Sequence, residues 1–284
     1  IALGINVPTG KDSLSMKQKY PKEEVIAPGT VIISAAGHCN DLTKVIEPVL
    51  QNDEANSLYY INLSNDSYKL GGSSFAQIHG KIGNETPTIQ DPAKFKNAFD
   101  TVQNLIKEER ISSGHDISAG GMLTTLLEMC FSAEMIGLDI DLTPLDELDL
   151  VKVLFAENSG IIFQSLDDEI PSILSNNNVE FYKIGKAVES DKVSIINEGT
   201  QLDFDIAALR DSWYKTSYLL DNKQTANNLA KDRYENYKNQ PLRYNFPKQF
   251  TGKLLQIDDL VKRPKAAVLR EKGSNSEREM ANAM

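Results

Sequence analysis

Between Asp91 and Arg110 the apolar residues Phe95, Phe99, Val102 and Ile106 recur at steps of three and four. That spacing predicts an amphipathic helix. Asp91 stands at the N-cap and Pro92 at the first helical position. A second helix is expected from about Ala119 to Met135, with Leu123, Leu126, Leu127, Cys130 and Phe131 on its apolar side and Gly137 as its stop. The alternation in "LDIDL" then reads as a half-buried strand. Further strands are expected at "LYYINLS", "GIIFQ", "FYKIGKAV" and "KVSIIN", with helices near 147–155 and 170–174. Helices interleaved with strands in this way predict a mixed sheet with helices packed on it, an α/β (α+β) fold.

The flanks read differently. Ile1–Val7 and Val31–Ala36 look like strands joined by a polar connection that contains Pro21, Pro28 and Gly29. "DLTKVIEPVL" reads as a short helical or loop passage broken by Pro48, and a polar run then places a boundary near residue 55. From about Asp205 to Asn239 the chain turns polar and helix-prone, a helical arm carrying Trp213, with an irregular connector to 263. "KAAVL" then reads as a buried-type strand and "SEREMANAM" as a helix start, with Ser276 and Glu279 as a capping box. This gives four segments: 1–54, 55–204, 205–263 and 264–284. The first begins inside an expected strand and the last ends on a strand–loop–helix unit, the pattern of a piece of a longer protein.

Composition narrows the partners. The 284 residues carry 40 acidic against 30 basic side chains, a net charge of −10, which disfavours nucleic acid or an anionic membrane. A phosphate ligand then has to be held by local features or by a metal ion. Cys39 and Cys130 lack metal-type spacing and suit a reducing, cytoplasmic setting, with Cys130 read as core. There is no run of about 18 apolar residues long enough to cross a membrane.

"VPTGKDSLSM" contains a Gly-Lys step followed by small hydroxyl residues. It is not the phosphate loop of nucleotide hydrolases, because Gly4 and Gly10 are separated by five residues and Asp12 stands where the hydroxyl belongs. Lys11 could still meet a phosphate while Asp12 holds Mg²⁺; a solvated turn is the alternative. In "SSGHDISAGGML", Asp116 and Ser118 precede a helix with Gly120 and Gly121 at its start, where free N–H groups favour phosphate. The alternative makes Asp116 or Ser118 a helix cap. "KLGGSSFAQIHG" is a third glycine turn able to approach phosphate, and Glu157 and Asn158 read as a structural turn before a strand.

"VPTGKDSLSM", "LGGSSFAQ", "HDISAGGMLTTLLEM", "GLDIDL", "LFAENSGIIFQ" and "PKAAVLREKGSNSEREMANA" occur in this order. Together they resemble the C-terminal half of the synthetase region of the large, single-chain phosphoribosylformylglycinamidine synthase family, over residues 1–284. The resemblance implies an aminoimidazole-ribonucleotide-synthetase-like C-terminal domain at 55–204, preceded by part of an N-terminal-type subdomain and followed by the arm and the first strand of a glutaminase domain. It implies an ATP-, Mg²⁺- and glutamine-dependent C–N ligase of purine biosynthesis. The synthetase region would be a pseudo-dimer of two halves, with one catalytic and one auxiliary nucleotide site. Lys11 and Ser13 would contact nucleotide or substrate and Asp12 would hold Mg²⁺ in a cleft shared with the other half. Asp116 and Ser118 would be the Mg²⁺ ligand and nucleotide contact of the auxiliary ATP/ADP site. The family reads "HDRSDGG", so Ile117 and Ala119 depart from it by losing polar groups. With the first half and the glutaminase absent, the chain alone is expected to be inactive. A non-catalytic Mg²⁺–nucleotide-binding module is the competing expectation.

Overall fold

Runs of branched and aromatic residues become strands here, and the stretches periodic at three and four residues become the helices that cover them. The computed structural model describes residues 3–7, 10, 16–27, 31–39, 41–53, 56–133, 135–239, 245–252, 265–273 and 275–284. Within them lie β1 (Lys17–Lys19), β2 (Glu24–Ile26), β3 (Ser57–Asn62), α1 (Ser74–Ile78), α2 (Pro92–Lys107), β4 (Ser113–Ile117), α3 (Gly121–Phe131) and β5 (Ile136–Asp141). There follow α4 (Leu150–Phe155), β6 (Gly160–Ser165), α5 (Ile170–Asn176), β7 (Tyr182–Glu189), β8 (Lys192–Asn197), β9 (Thr200–Asp205), α6 (Ile206–Gln224), α7 (Leu229–Asn236) and α8 (Glu277–Ala283).

β3 to β9 form one seven-stranded sheet in the order β4-β6-β3-β7-β5-β8-β9. Every neighbouring pair is antiparallel except β5 and β8, so the sheet is mixed. Side chains alternate across a strand, and β3 is apolar on both faces. Leu58 and Tyr60 enter one core with α3, α4 and Ile206 of α6, whereas Tyr59 and Ile61 enter a second core with α2 and α5. Ile162 and Phe163 of β6 divide in the same way. β5 shows the expected half-buried pattern, with Leu138 and Ile140 inside and Asp139 and Asp141 exposed. Cys130 is a core residue, and burial pushes its thiol up to about 12.

α2 has the expected cap, the Asp91 carboxylate accepting from the amides of Ala93 and Lys94. Its buried face is turned from the expected one. Ala98, Thr101, Val102 and Leu105 go inside, while Phe99 is exposed. Gly137 does not end α3, which stops at Phe131; it lies in β5 instead. A Cβ there would lie 2.8 Å from that of Ser190 and inside the Lys192 carbonyl, so close strand packing explains this glycine. β4, β9 and the β1–β2 hairpin were not anticipated, because their largely polar sequences carry no strong strand signal.

The expected flanking strands did not form. Residues 3–7 and 31–36 are irregular, with Val31, Ile32 and Ile33 85–86% exposed. "KAAVL" is also irregular, and Leu269 is 95% exposed. A strand needs a partner to satisfy its backbone, and the described residues offer none to these segments. α8 forms, but Ser276 adopts φ 65° and makes no capping bond, so the capping box is absent. Among the described residues no helix is long and apolar enough to cross a membrane.

Candidate functional site

The sheet register gathers three loops at one edge. Because β6 runs antiparallel to both neighbours, its first residue, Gly160, lies opposite Asn62 at the end of β3 and Ile117 at the end of β4. The loop after β3, the turn into α3 and the turn before β6 therefore converge. They carry "KLGGSS", "DISAGG" and "ENS" respectively. Sequence reading could single out each one but had no means of joining them.

Glu157 joins two of them. Its Oε1 accepts from the Ser74 amide at 2.7 Å and from the Gly120 amide at 2.9 Å. One carboxylate oxygen thus neutralises the positive ends of α1 and α3 together. The Gly120 amide, at the N-cap of α3, is therefore already taken by Glu157. Gly120 (φ 91°) is the N-cap and has no side-chain capping bond. At Gly121 a Cβ would lie 2.6 Å from the Leu154 carbonyl oxygen and 2.9 Å from Phe155 Cα, so the glycine lets α3 seat against α4. Glu157 had looked like a structural turn residue. Its bridging role depends on residues 37 and 83 positions away, a separation no local pattern encodes.

The loop after β3 is stiffened from within. The Asn158 amide nitrogen donates to Ser64 Oγ and to the carbonyls of Asp66 and Ser67, at 3.0 to 3.2 Å. Asp66 accepts from Lys69 Nζ through both oxygens, at 2.9 and 2.8 Å, and from the Ser67 and Thr88 amides. The Lys69 ammonium foremost holds the Asp66 carboxyl down at about 2. Beside this loop a cavity of about 380 Å³ is lined by Lys69, Gly71, Glu85, Glu147 and Lys152 among others.

The expected site residues divide sharply. Lys11, Asp12 and Ser13 lie outside the described residues. Asp116 is the penultimate residue of β4 and points outward, its side chain 72% exposed. Ser118 is exposed as well, and neither residue caps α3. His115 lies between two carboxylates, Nδ1 3.2 Å from Asp116 Oδ1 and Nε2 3.2 Å from Glu128 Oε2. Ile117 points the other way, into the core, so its apolar character belongs to packing and not to the site. Among the described residues no three His, Cys, Asp or Glu side chains converge as a metal cage. A single outward carboxylate suits an ion such as Mg²⁺, which takes one or two carboxylates and completes its shell with phosphate and water. Asp116 fits that requirement.

Residues 57–197, from the first residue of β3 to the last of β8, match the family described as AIR synthase related protein, C-terminal domain. The matched segment contains Asp116, Ser118 and Glu157 and leaves out β9, α6 and α7. Over its whole length the chain is also similar to phosphoribosylformylglycinamidine synthases. It is 35% identical over 291 residues to the probable chloroplastic/mitochondrial protein of Arabidopsis thaliana, covering 100% of this chain and 20% of that one. It is 33% identical to the human protein, covering 99% of this chain and 22% of that one. The chain therefore spans about a fifth of the length of these relatives. A solved structure described as T. maritima PurL complexed with FGAR aligns with a TM-score of 0.48 at 12% identity, covering 59% of this chain and 30% of that one.

Two outcomes follow from this geometry. Glu157→Ala leaves the Ser74 and Gly120 amides without their acceptor and is expected to cost about 1–3 kcal/mol, whereas Glu157→Gln keeps an acceptor oxygen and costs less. Urea unfolding, with hydrogen exchange at the two amides, measures both. For Asp66 the folded value lies below the ordinary carboxylate value, so its contribution is present above pH about 4 and disappears as the pH falls toward about 2. In Asp66→Asn the unfolding free energy should be lower at neutral pH and lose that share of its fall across the window, as urea titrations at pH 5, 4, 3 and 2 would show.

Proposed function

We propose that this chain is part of the synthetase region of a phosphoribosylformylglycinamidine synthase. The full protein would be a cytoplasmic, ATP- and Mg²⁺-dependent ligase that takes nitrogen from glutamine and converts formylglycinamide ribonucleotide to formylglycinamidine ribonucleotide. The whole-length similarity to proteins of that name carries the reading. In this chemistry ATP phosphorylates the amide oxygen of the substrate, and ammonia then displaces that oxygen as phosphate. A protein serves such a reaction mainly by positioning and by neutralising developing charge. The segments 1–54, 55–204, 205–263 and 264–284 would be, in turn, the end of an N-terminal-type subdomain, the C-terminal-type subdomain, a helical arm with linker, and the start of a glutaminase domain.

Asp116 is the residue that would hold Mg²⁺, and Ser118, two positions on, would donate its hydroxyl to a nucleotide phosphate. When bound, Mg²⁺ supplies charge neutralisation to the phosphates. The chain's own contribution is to fix where that charge sits: β4 ends at the loop edge and presents Asp116 outward, while Glu157 locks the turn that follows. Lys11, Asp12 and Ser13 would serve the second, catalytic cleft together with the other half of the synthetase region. The partners of this chain are therefore that half and the glutaminase domain.

Calorimetric titration of the full-length protein with ADP in the presence and absence of Mg²⁺ tests the site. Asp116→Asn should weaken the Mg²⁺-dependent binding at least about tenfold, and unchanged binding would remove Asp116 from the site. The 284-residue chain by itself should form no product from glutamine or from ammonia. Product formation by the purified chain would overturn the division of labour proposed here.

A further inference from the structure

The contact between the helical arm and α3 reaches Asp116. α6 packs its Trp213 edge-on against Phe131, with ring centroids 5.9 Å apart, and Arg210 donates to the Phe131 carbonyl at 2.9 Å. From that seat the Trp213 indole donates to Glu128 Oε1 at 3.0 Å. The other oxygen of Glu128 faces His115 Nε2, and His115 Nδ1 faces Asp116 Oδ1, each at 3.2 Å. The four side chains come from α6, α3 and β4, and none of the links is local except His115 to Asp116. Carboxylates only accept, so each ring nitrogen that carries a proton donates to the carboxylate it faces.

The chain has an asymmetric shape. Glu128 and His115 are largely shielded, with side chains 26% and 19% exposed, whereas Asp116 stands in solvent with one oxygen held from behind. An exposed aspartate without such a partner samples several rotamers, and ordering it to meet an ion costs free energy at the moment of binding. Residues that hold a metal ligand from the far side reduce that cost and set the direction of its free oxygen.

We propose that Glu128 and Trp213 are positioning residues for Asp116, so that seating of the α6 arm on α3 sets the cation affinity of the β4 edge. The inference rests on the reading of Asp116 as the Mg²⁺ ligand and adds to it two residues, of which Trp213 lies outside the segment 57–197 that matches the family. It also gives the arm a role in the site that its distance along the chain hides.

The test uses the full-length protein with ADP and Mg²⁺ as probes. Binding of ADP is titrated at increasing Mg²⁺ for the wild type, Trp213→Phe, Glu128→Gln and Asp116→Asn. Trp213→Phe keeps an aromatic ring against Phe131 and loses the indole N–H; Glu128→Gln keeps the shape and loses the charge. Both should raise the Mg²⁺ concentration needed for half-maximal effect by about 10-fold, the lower end of what outer partners of metal ligands contribute, while Mg²⁺-free ADP binding stays as in the wild type. A destabilised fold would instead weaken binding with and without Mg²⁺ alike, and that result counts against the proposal. If Asp116→Asn loses the Mg²⁺ dependence and the other two variants keep it, the positioning role falls and the site stands. If Asp116→Asn keeps the Mg²⁺ dependence, the site itself falls and the positioning role with it.

Discussion

The antiparallel pairing of β3 with β6 is the constraint on which the remaining structure depends. Both strands are buried on their two faces, so each must be apolar at successive positions and neither can slip by one residue without exchanging its two cores. Tyr60 and Ile162 face α3 and α4, and Tyr59 and Phe163 stack on the α2–α5 side, with ring centroids 5.5 Å apart. The same register fixes Gly160 beside the ends of β3 and β4. Packing thereby decides which loops share an edge, and that edge is where the chemistry is proposed.

At that edge polar groups are arranged for rigidity first. Glu157 satisfies two helix starts, Asn158 and Ser64 tie down the loop after β3, and Lys69 with Asp66 closes it. Buried polar groups are costly unless paired, and the Glu157 carboxylate and the Asn158 amide nitrogen find their partners through contacts distant in sequence. The side chains of Asp116 and Ser118 are open to solvent at this edge. An exposed carboxylate on a strand end, with one oxygen facing His115 and the other turned to solvent, is the group proposed to meet a cation.

Much of the domain could be read from sequence because its elements are strongly patterned. "LYYINLS", "GIIFQ", "LDIDL" and the Asp91–Pro92 helix start all led to the right element, because burial on a sheet face or a helix stripe leaves a period of two or of three to four. The failures have a common cause. "VIISAA" and "KAAVL" have strand composition, yet strand formation is decided by a partner, which sequence alone does not supply and the described residues do not contain. The Ser276 capping box failed because Ser276 takes a left-handed backbone conformation and makes no capping bond, and Gly137 was read as a helix stop when its role is contact between strands.

The amino-acid sequence by itself determined the class of fold, the place of most strands and helices, the acidic surface and the candidate residues Asp116 and Ser118. These are properties of composition and short-range period, where one residue's neighbours in the chain are also its neighbours in space. The tertiary structure alone decided that Ile117 belongs to the core, that Glu157 occupies the Gly120 amide, and that Trp213 reaches Asp116 through Glu128 and His115. The Glu157 and Trp213 links join residues 37 to 85 positions apart, and their geometry exists only once the sheet register and the packing of α6 on α3 have brought those positions together.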